Sequence, residues 1–551
     1  MKKTVWITGI VVLVLAAGIF FYLHSRKSKD FEPLIKAKLQ QLILDGSDSL
    51  YQLHIGSIEI DVINSTITAY DAQLAADSIR MKQLDQAQKA PSDVYGITLG
   101  ALQIKGVSPL DLLNQKNISL QTIYLKEPAI KIYHYKRAYE RIKDTSITLY
   151  QKLSKTLESF KLDTAEVKNI TLDYYDLEKK NKEIHLKDLT FRFKDILFDA
   201  TTQRDSSRFL YAGEASIFVK KYTLSTADNL YNFTIDSLNI LTNINKINLW
   251  GIALKPIGDK AAFSKKLPYR KDRYDLQAAS AVITNADWQS LFFEKGIHAD
   301  QVDIYKGKTE IYSNKALPPS GQNKTGNYPH QSIMKIPLPL WIDKIALHDF
   351  EVLYREYNTQ SEQMGTIQFT DVNGSLNNVT NRPEKIAENP TMRVEATALF
   401  MNNGRLNTTW KFDMARVKEG LFTIDVKLGK MDGTSLNKAT VPLGLFEVKK
   451  ADVKEFTAFI KGNNSNASGD IRLAYENLEL VVLKKDDDGE LKKKALANFI
   501  AKTFVFQKQN PKKGESLKTQ HAYFERAPDK SFFSLLWKTI MTGVVATAKG
   551  D

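Results

Sequence analysis

The stretch ITLGALQIKGVSPLDLLNQKNISLQTIYLKEPAIKIYHYK, residues 97–136, decides the fold because its pattern occurs twice. A second copy, LQAASAVITNADWQSLFFEKGIHADQVDIYKGKTEIYSNK, covers residues 276–315 and shares seven identities in forty ungapped pairs at an offset of 179. The apolar positions also coincide through most of both copies. Two later blocks, starting at Leu162 and Ile184, repeat at offsets of 180 and 183. Repetition of this kind, with variation confined to one connection, predicts a duplicated scaffold.

The repeated blocks consist of short alternating runs. Apolar residues stand two apart, as in Ile130 and Ile132 or Val302 and Ile304, and Asn, Asp, Gly or Lys bounds each run. This period is typical of short antiparallel strands with one apolar face. The sequence therefore predicts a mainly β protein, with an elongated, curled antiparallel sheet of roughly twenty strands. Internal duplication and short C-terminal helices complete the expected architecture.

One face of such a sheet is apolar and must be covered. The few short helical stretches between Leu50 and Leu483 cannot cover it. The sheet must therefore cover itself, as a sandwich, a closed barrel, or a curled sheet with an apolar groove. The residue period leaves these three alternatives open.

The organisation along the chain follows from these patterns. The expected segments are a transmembrane signal-anchor (1–25), a helical stalk (26–49), a first β-segment (50–275), a second β-segment that repeats about 97–275 (276–455), a C-terminal β-segment with a helix (456–530) and an amphipathic tail (531–551).

Residues 5–23, VWITGIVVLVLAAGIFFYL, contain no charged residue and predict a membrane-spanning helix. At 1.5 Å per residue this helix is about 28 Å long, close to the ~30 Å hydrocarbon core of a bilayer. A cleaved signal peptide is the alternative, but its apolar run is usually only ~7–15 residues and ends in a small-x-small site, which this segment lacks. The residues expected to contact the membrane are Val5, Trp6, Leu13, Phe20, Phe21, Tyr22 and Leu23.

The C-terminal segment SFFSLLWKTIMTGVVATAKGD, residues 531–551, is a second candidate for membrane contact. Lys538 interrupts its aromatic and aliphatic residues, so the segment is too short and too interrupted to span a bilayer. It can lie in the membrane interface by its aromatic face. The alternative is an element that closes the end of the β-scaffold. The residues expected to contact a membrane or a partner are Phe532, Phe533, Leu536, Trp537 and Ile540.

Composition and motifs argue against several classes of function. The chain has no Cys, which excludes disulfides, thiolate metal sites and cysteine nucleophiles. Its net charge of +14 comes from lysines scattered among acidic residues, which is typical of a solvated surface rather than of a nucleic-acid partner. The eight histidines form no HExxH pair, and neither GxSxG nor GxGxxG occurs. We therefore expect a non-enzyme with no catalytic residue, no cofactor and no metal site.

Several sequence features together resemble AsmA-like proteins of the AsmA/TamB superfamily. The expected anchor is followed at once by YQLHIGSIEIDVINSTITAYDAQLAAD, residues 51–77, and the unit ISLQTIYLKEPAIKIY, residues 118–133, is interpreted as strand-turn-strand. The closing FFSLLWKTIMTGV is similar to the tails of shorter members. A G-x-x-x-L-x-Y-x-x-L pattern, similar to the C-terminal pattern of the family, is formed by Gly469, Leu473, Tyr475 and Leu478.

The resemblance implies a single-pass protein of the bacterial inner membrane whose bulk lies in the periplasm. Such a protein carries phospholipid along a taco-shaped β-groove towards the outer membrane. The implied partners are phospholipid, the inner membrane, and periplasmic or outer-membrane proteins at the C-terminal end. The expected groove-lining residues, whose alternative role is core packing, are Ile130, Ile132, Ile170, Leu172, Phe191, Phe193, Val302, Ile304, Ile311, Phe350 and Val352.

Two other functions stay open from the sequence. One is a TamB-like factor that assists outer-membrane protein assembly and pairs with its clients through exposed strand edges. The other is an anchored extracytoplasmic enzyme or glycan-binding protein, which needs a cluster of carboxylates or aromatic residues around one pocket. The sequence contains no such cluster.

Overall fold

Long strands joined by short helices make the protein mainly β in a computed structural model of the chain. The structure describes residues 33, 36–37, 40–41, 43–44, 47–61, 63–106, 117–137, 159–178, 181–202, 205, 207–209, 211–288, 290–291, 296–485, 491–493 and 506–549. The anchor expected at residues 5–23 lies outside them, and so do the seven membrane-contact residues expected there.

The chain divides into two compact units. Unit 1 contains the residues up to Leu224 together with Ile235–Asn248, and unit 2 contains Ser225–Thr234 together with the residues from Leu249 onward. The boundaries of these units follow the compactness of the structure, whereas the boundaries of the β-segments expected from the sequence follow the sequence repeat.

Unit 1 contains strands β1 to β9 and one helix. They are β1 (Tyr51–His54), β2 (Ser57–Asp61), β3 (Thr66–Ala76), α1 (Ser78–Gln86), β4 (Asp93–Lys105), β5 (Asn117–Lys126), β6 (Ala129–His134), β7 (Ser159–Asp176), β8 (Asn181–Phe198) and β9 (Ala212–Ser225). The next two strands, β10 (Tyr231–Leu241) and β11 (Lys246–Pro256), contribute residues to both units.

Unit 2 contains the remaining elements. Its strands are β12 (Arg273–Thr284), β13 (Ile297–Asn314), β14 (Leu340–Asn358), β15 (Gln363–Thr380), β16 (Thr391–Phe400), β17 (Gly404–Asp413), β18 (Phe422–Leu428), β19 (Met431–Asp432), β20 (Phe446–Gly462), β21 (Asn466–Lys485), β22 (Leu491–Lys493) and β23 (Gln520–Glu525). Its helices are α2 (Lys260–Lys265), α3 (Pro329–Ile333), α4 (Pro383–Glu388), α5 (Asn437–Ala439) and α6 (Phe532–Lys549). The helix expected in the segment 456–530 was indicated by residues 491–506, of which 494–505 lie outside the described residues.

The sheets are mixed, so the expectation of a purely antiparallel sheet was wrong. In unit 1, β7 runs parallel to β5 and β6, whereas β3, β4, β8 and β9 pair in antiparallel fashion. In unit 2, β13 and β14 are parallel and the pairs from β14 to β21 are antiparallel. A parallel pair needs a crossover connection of about a dozen residues or more. Residues 135–158 and 315–339 have that length.

The parallel pairs occupy equivalent positions of the sequence repeat. Ile118 opposes Phe160 in unit 1, and Ile297 opposes Leu340 in unit 2, at offsets of 179 and 180. Residues with a left-handed backbone, with φ between 49° and 60°, also occur in pairs whose members are 179, 180 or 183 residues apart in the sequence. The equivalent pairs are Asp71 and Gly251, Glu127 and Lys306, Asn169 and Asp349, Asp188 and Asp371, and Asp195 and Asn378. The two copies therefore share their irregular backbone positions as well as their apolar pattern.

The unit interpreted as strand-turn-strand at residues 118–133 is one interrupted strand. Both β5 and β6 pair with β4 on one side and with β7 on the other, so the chain continues in the same direction. Glu127, with φ 51°, and Pro128, which has no N–H, break the ladder locally. The equivalent residues Lys306 and Gly307 lie inside the uninterrupted β13. The local sequence is compatible with a turn or a continued strand, and pairing on both sides, in an unbroken register, selects the continued strand.

Helix α6 packs on β21 and β23 in unit 2. Its buried residues include Leu535, Leu536 and Gly543. A Cβ at Gly543 would lie 2.4 Å from Ile471 Cγ1 and 2.7 Å from Ile471 Cβ. The absence of a side chain at Gly543 therefore allows the helix to approach the sheet closely.

We predict that Gly543→Ala destabilises unit 2, although alanine is the better helix former by about 1 kcal/mol. The overlap with Ile471 costs about 1–3 kcal/mol, so the free energy of unfolding falls or at best stays unchanged. Urea denaturation measures it. Thr542→Ala, at an exposed position of the same helix, is the control and stabilises by a few tenths of a kcal/mol. A Gly543→Ala protein stabilised by about 1 kcal/mol would contradict the close packing.

Candidate functional site

The sheet of unit 1 has one apolar face made of aligned rows. Residues directly opposite each other on neighbouring strands share a face. Three rows of opposing partners contain only apolar residues. They are Leu53, Leu74, Ile97, Ile130, Leu172 and Leu186; Ile58, Ala69, Leu102, Leu125, Val167, Phe191 and Ile217; and Ile60, Ile67, Ile104, Ile123, Ala165, Phe193 and Ala215.

The six groove candidates of unit 1 belong to this apolar face. Ile130, Ile132 and Ile170 are buried in one hydrophobic cluster, and Leu172, Phe191 and Phe193 are half-buried against it. Sequence reasoning missed many of their neighbours, such as Ile97, Leu102 and Ile104, although these residues also alternate with polar ones. All six candidates follow from period-two alternation, as three pairs of residues two apart. The register shift beside the left-handed Asn169 keeps Ile170 and Leu172 on the same face as Ala165 and Val167.

Unit 2 has a longer apolar face of the same kind. Its two longest rows of opposing partners contain two polar residues, Thr408 and Gln520. They are Ile283, Val302, Ile345, Leu376, Val394, Trp410, Ile424, Ile460, Gly469 and Ala522; and Ala281, Ile304, Leu347, Gly374, Ala396, Thr408, Val426, Ala458, Ile471 and Gln520. Two shorter rows contain Leu276, Thr309, Val352, Phe369, Phe400 and Gly404, and Tyr274, Ile311, Tyr354 and Ile367.

Only part of this face is packed under a helix. The end formed by β16 to β23 makes a hydrophobic core with Phe532, Leu535 and Leu536 of α6, and Val302 packs against the same core. The candidates Ile304, Ile311, Phe350 and Val352 do not belong to that core and are all half-buried. Half-buried apolar side chains in adjacent rows form a surface that an apolar ligand can cover. We call the surface formed by Ile304, Ile311, Phe350 and Val352 the open segment.

Bulges keep the open segment apolar along its whole length. The partners shift register between Leu347 and Phe350 and again before Val352, next to the left-handed Asp349. Without the extra residue, the alternation would turn Phe350 and Val352 to the other face. Phe350 covers Gly307, where a Cβ would lie 2.0 Å from the phenyl ring. The glycine thus lets the aromatic ring lie flat against the strand.

The opposite face carries ion pairs. In unit 1, Glu166 accepts hydrogen bonds from Arg192 and forms an ion pair with Lys168 at 2.9 Å. Burial disfavours the charge of Glu166, but these two cations outweigh it and lower its pKa. In unit 2, Lys308 and Glu351 pair at 2.9 Å. One face of each sheet is therefore solvated and charged, and the other is apolar.

The structure divides the five C-terminal candidates between two roles. Phe532 and Leu536 are buried in the core, and Ile540 packs against it. Phe533 is 59% exposed and Trp537 is 47% exposed. Met541 is half-buried and Val545 is exposed. Phe533, Trp537, Met541 and Val545 are four residues apart and therefore follow one side of α6. We call them the outer stripe; the spacing was visible in the sequence, but the side that faces solvent was not.

A buried histidine lies beside the core of unit 2. The ring of His330 is fully buried, stacks on Phe412 at 4.8 Å between centroids, and has no hydrogen-bond partner for either nitrogen among the described residues. Burial lowers the pKa of His330 to about 4, against the opposing effect of the Asp413 carboxylate. The ring is therefore neutral at pH 7 and acts as an aromatic core residue.

No metal-binding cluster of three His, Cys, Asp or Glu side chains occurs in the described part of the chain. Among the same residues, no helix combines the length and apolar character needed to cross a bilayer. No protein-family model matches the sequence, and no curated protein matches it. The physical character of the two faces therefore carries the functional argument.

We predict that stability falls as the pH is lowered from 6.5 to 4. The unfolded chain binds a proton at His330 in this range and the folded chain does not, so the free energy of unfolding drops by up to about 1.4 kcal/mol per pH unit, roughly 3 kcal/mol in all. Urea denaturation at several pH values measures the slope. In His330→Phe this contribution is absent, so the curve is flatter. His54→Phe, at an exposed position, controls for the loss of a histidine. Identical plots of unfolding free energy against pH for the parent and His330→Phe would contradict the assignment of the pH dependence to His330.

Proposed function

We propose that this protein binds phospholipid acyl chains on the apolar faces of its sheets and carries phospholipid between the membranes of the bacterial envelope. The observation that carries the proposal is the open segment of unit 2, where Ile304, Ile311, Phe350 and Val352 are half-buried outside the helix-covered core. The side chains of these four residues are entirely apolar and offer no polar atom that discriminates one ligand from another. It suits a ligand that needs only exclusion from water.

Acyl-chain burial is energetically sufficient for such binding. Each buried CH₂ contributes about 0.8 kcal/mol, so six methylenes already contribute about 5 kcal/mol. The row that runs from Leu276 to Gly404 has no residue in the helix-covered core and crosses six strands, which at ~4.8 Å per strand spacing is about 24 Å. One leaflet of the hydrocarbon core is about 15 Å thick. The apolar face of unit 2 is therefore longer than a single acyl chain, and a lipid can bind at successive positions along it.

The resemblance to AsmA-like proteins supports the same reading and adds a location. In this proposal residues 5–23 anchor the chain in the inner membrane, and the β-units lie in the periplasm. The charged face of each sheet contacts water, and lipid head groups extend from the edge of the apolar face.

We propose further that the outer stripe of α6 contacts a membrane surface. Trp and other aromatic side chains prefer the membrane interface. Lys538 is exposed beside the stripe, Lys549 lies in the last turn, and the helix contains no acidic residue. A specific protein partner needs about 800 Å² of surface, more than four partly exposed side chains supply. The inner side of the same helix holds it on the sheet, so the stripe is presented on a fixed support.

We predict that the chain without residues 1–26, purified and extracted for mass spectrometry, contains phospholipid. Val352→Asp places a carboxylate on the open segment, where burial without a partner costs several kcal/mol, so the bound phospholipid falls severalfold. Phe191→Asp tests unit 1 in the same way. Circular dichroism and thermal melting identify the variants that stay folded, and Val352→Asn is a milder substitute if the aspartate unfolds the protein.

The matched control places an aspartate on the charged face of the same strand pairs. Thr366 opposes Arg355, and Ser216 opposes Arg192, so Thr366→Asp and Ser216→Asp gain a favourable partner. Both controls retain the lipid of the parent. A folded parent without lipid would overturn the proposal and favour the factor that assists outer-membrane protein assembly.

We predict that the chain without residues 1–26 floats with vesicles containing phosphatidylglycerol. The double variant Phe533→Ser with Trp537→Ser binds these vesicles about tenfold more weakly or worse, because each large side chain contributes up to about 2 kcal/mol to membrane binding. Tyr523→Ser removes an aromatic residue that is 50% exposed on β23 and leaves flotation unchanged. Phe532→Ser acts differently, because Phe532 is buried: it lowers the melting temperature. Equal flotation of parent and double variant would contradict membrane contact through the stripe.

A further inference from the structure

A cavity of about 750 Å³ lies on the charged face of unit 1, between α1 and strands β3, β4 and β6. Thr98 opposes Ala129, and Gly96 opposes Lys131, on the face opposite Ile97 and Ile130. The cavity is therefore separate from the apolar face. Its volume is in the range of small-molecule sites, which is about 300–1,000 Å³.

The floor of the cavity consists of small side chains. Ala75, Gly96 and Ala129 line it, and a Cβ on Gly96 would meet only the Cβ of Lys131, at 3.9 Å. Tyr133 and Tyr135 form aromatic walls. Small residues at the floor and large ones at the walls leave room for a ligand of a few tens of atoms.

The carboxylates at the cavity already have partners. Asp77 accepts hydrogen bonds from the amides of Ile79 and Arg80, both at 2.8 Å, and from Gln52 at 2.6 Å. Asp85 forms an ion pair with Arg137. Asp85 is compensated by Arg137, whereas Asp77 keeps its charge because its donors are neutral. The three cations Lys82, Lys131 and Arg137 still outnumber the two carboxylates at the cavity.

The cations are in excess. Lys82 and Lys131 line the cavity and are exposed, and neither has an ion-pair partner in the described part of the chain. The side chain of Arg137 is only 8% exposed, and its Nε–H lacks a hydrogen-bond acceptor among the described residues although it is buried. A buried donor without an acceptor is costly, about 1–3 kcal/mol, and an anion bound in the cavity can supply the acceptor.

We propose that this cavity binds a phosphate ester, with Lys82 and Lys131 at the phosphate and Arg137 beneath it. Lysine and arginine form charge-assisted hydrogen bonds to phosphate oxygens, and the tyrosines contact the organic part of the ester. This site does not depend on the lipid-binding function proposed for the apolar face.

The test is isothermal titration calorimetry of the full-length chain in a phosphate-free, non-ionic detergent. Glycerol 3-phosphate binds saturably at one site, and glycerol does not bind. Lys82→Gln with Lys131→Gln weakens binding tenfold or more, and Gly96→Leu abolishes it by filling the floor while leaving every charge in place. Lys105→Gln with Lys126→Gln removes two exposed strand lysines outside the cavity and leaves the affinity unchanged.

The outcomes separate the possible sources of the phosphate. If phosphatidylglycerol in mixed micelles competes with glycerol 3-phosphate, equally in the parent and in Lys105→Gln with Lys126→Gln, the site accepts a lipid head group. Without competition the bound phosphate belongs to a soluble ester. No saturable binding up to about 10 mM, or equal weakening in both lysine double variants, overturns the proposal and assigns the charge to a general basic surface.

Discussion

Alignment of apolar residues across neighbouring strands is the constraint on which the rest of this protein depends. A row such as Ile60, Ile67, Ile104 and Ile123 requires each strand to present its apolar residues at one level and on one face. A slip of one residue in any strand would turn its apolar set into water. The register of every pair is therefore fixed by burial as well as by hydrogen bonds.

Long strands meet this constraint through bulges. Alternation in β7 and β14 runs over 18 and 19 residues, and strand twist would carry the side chains away from a common face over that length. Left-handed residues at Asn169 and Asp349 restore the phase, and their recurrence in both copies explains how duplication preserved the apolar face. A scaffold of this kind can lengthen its apolar face without acquiring a new site.

The two faces of each sheet offer different chemistry to ligands. The apolar face excludes water and suits hydrocarbon, whereas the charged face holds ion pairs and, in unit 1, a cavity with unpaired cations. Helix α6 combines both properties on one element. Leu535 and Gly543 hold it against the sheet, and Phe533 and Trp537 stay on its outer side. This division of roles follows from the helical period once one side is buried.

The sequence by itself determined the β class, the repeat and most of the apolar face. Period-two alternation, as at Ile130 and Val302, is visible locally, and in a strand it places the apolar residues on one face, which folding then buries. Tertiary structure decided the features that depend on contacts between distant residues. The parallel pairing of β13 and β14, the continuation of the strand through Glu127 and the burial of His330 each need a neighbouring strand or helix that the local sequence does not specify. Which side of α6 is buried depends in the same way on the sheet beneath it, since both sides of the helix are apolar enough to pack.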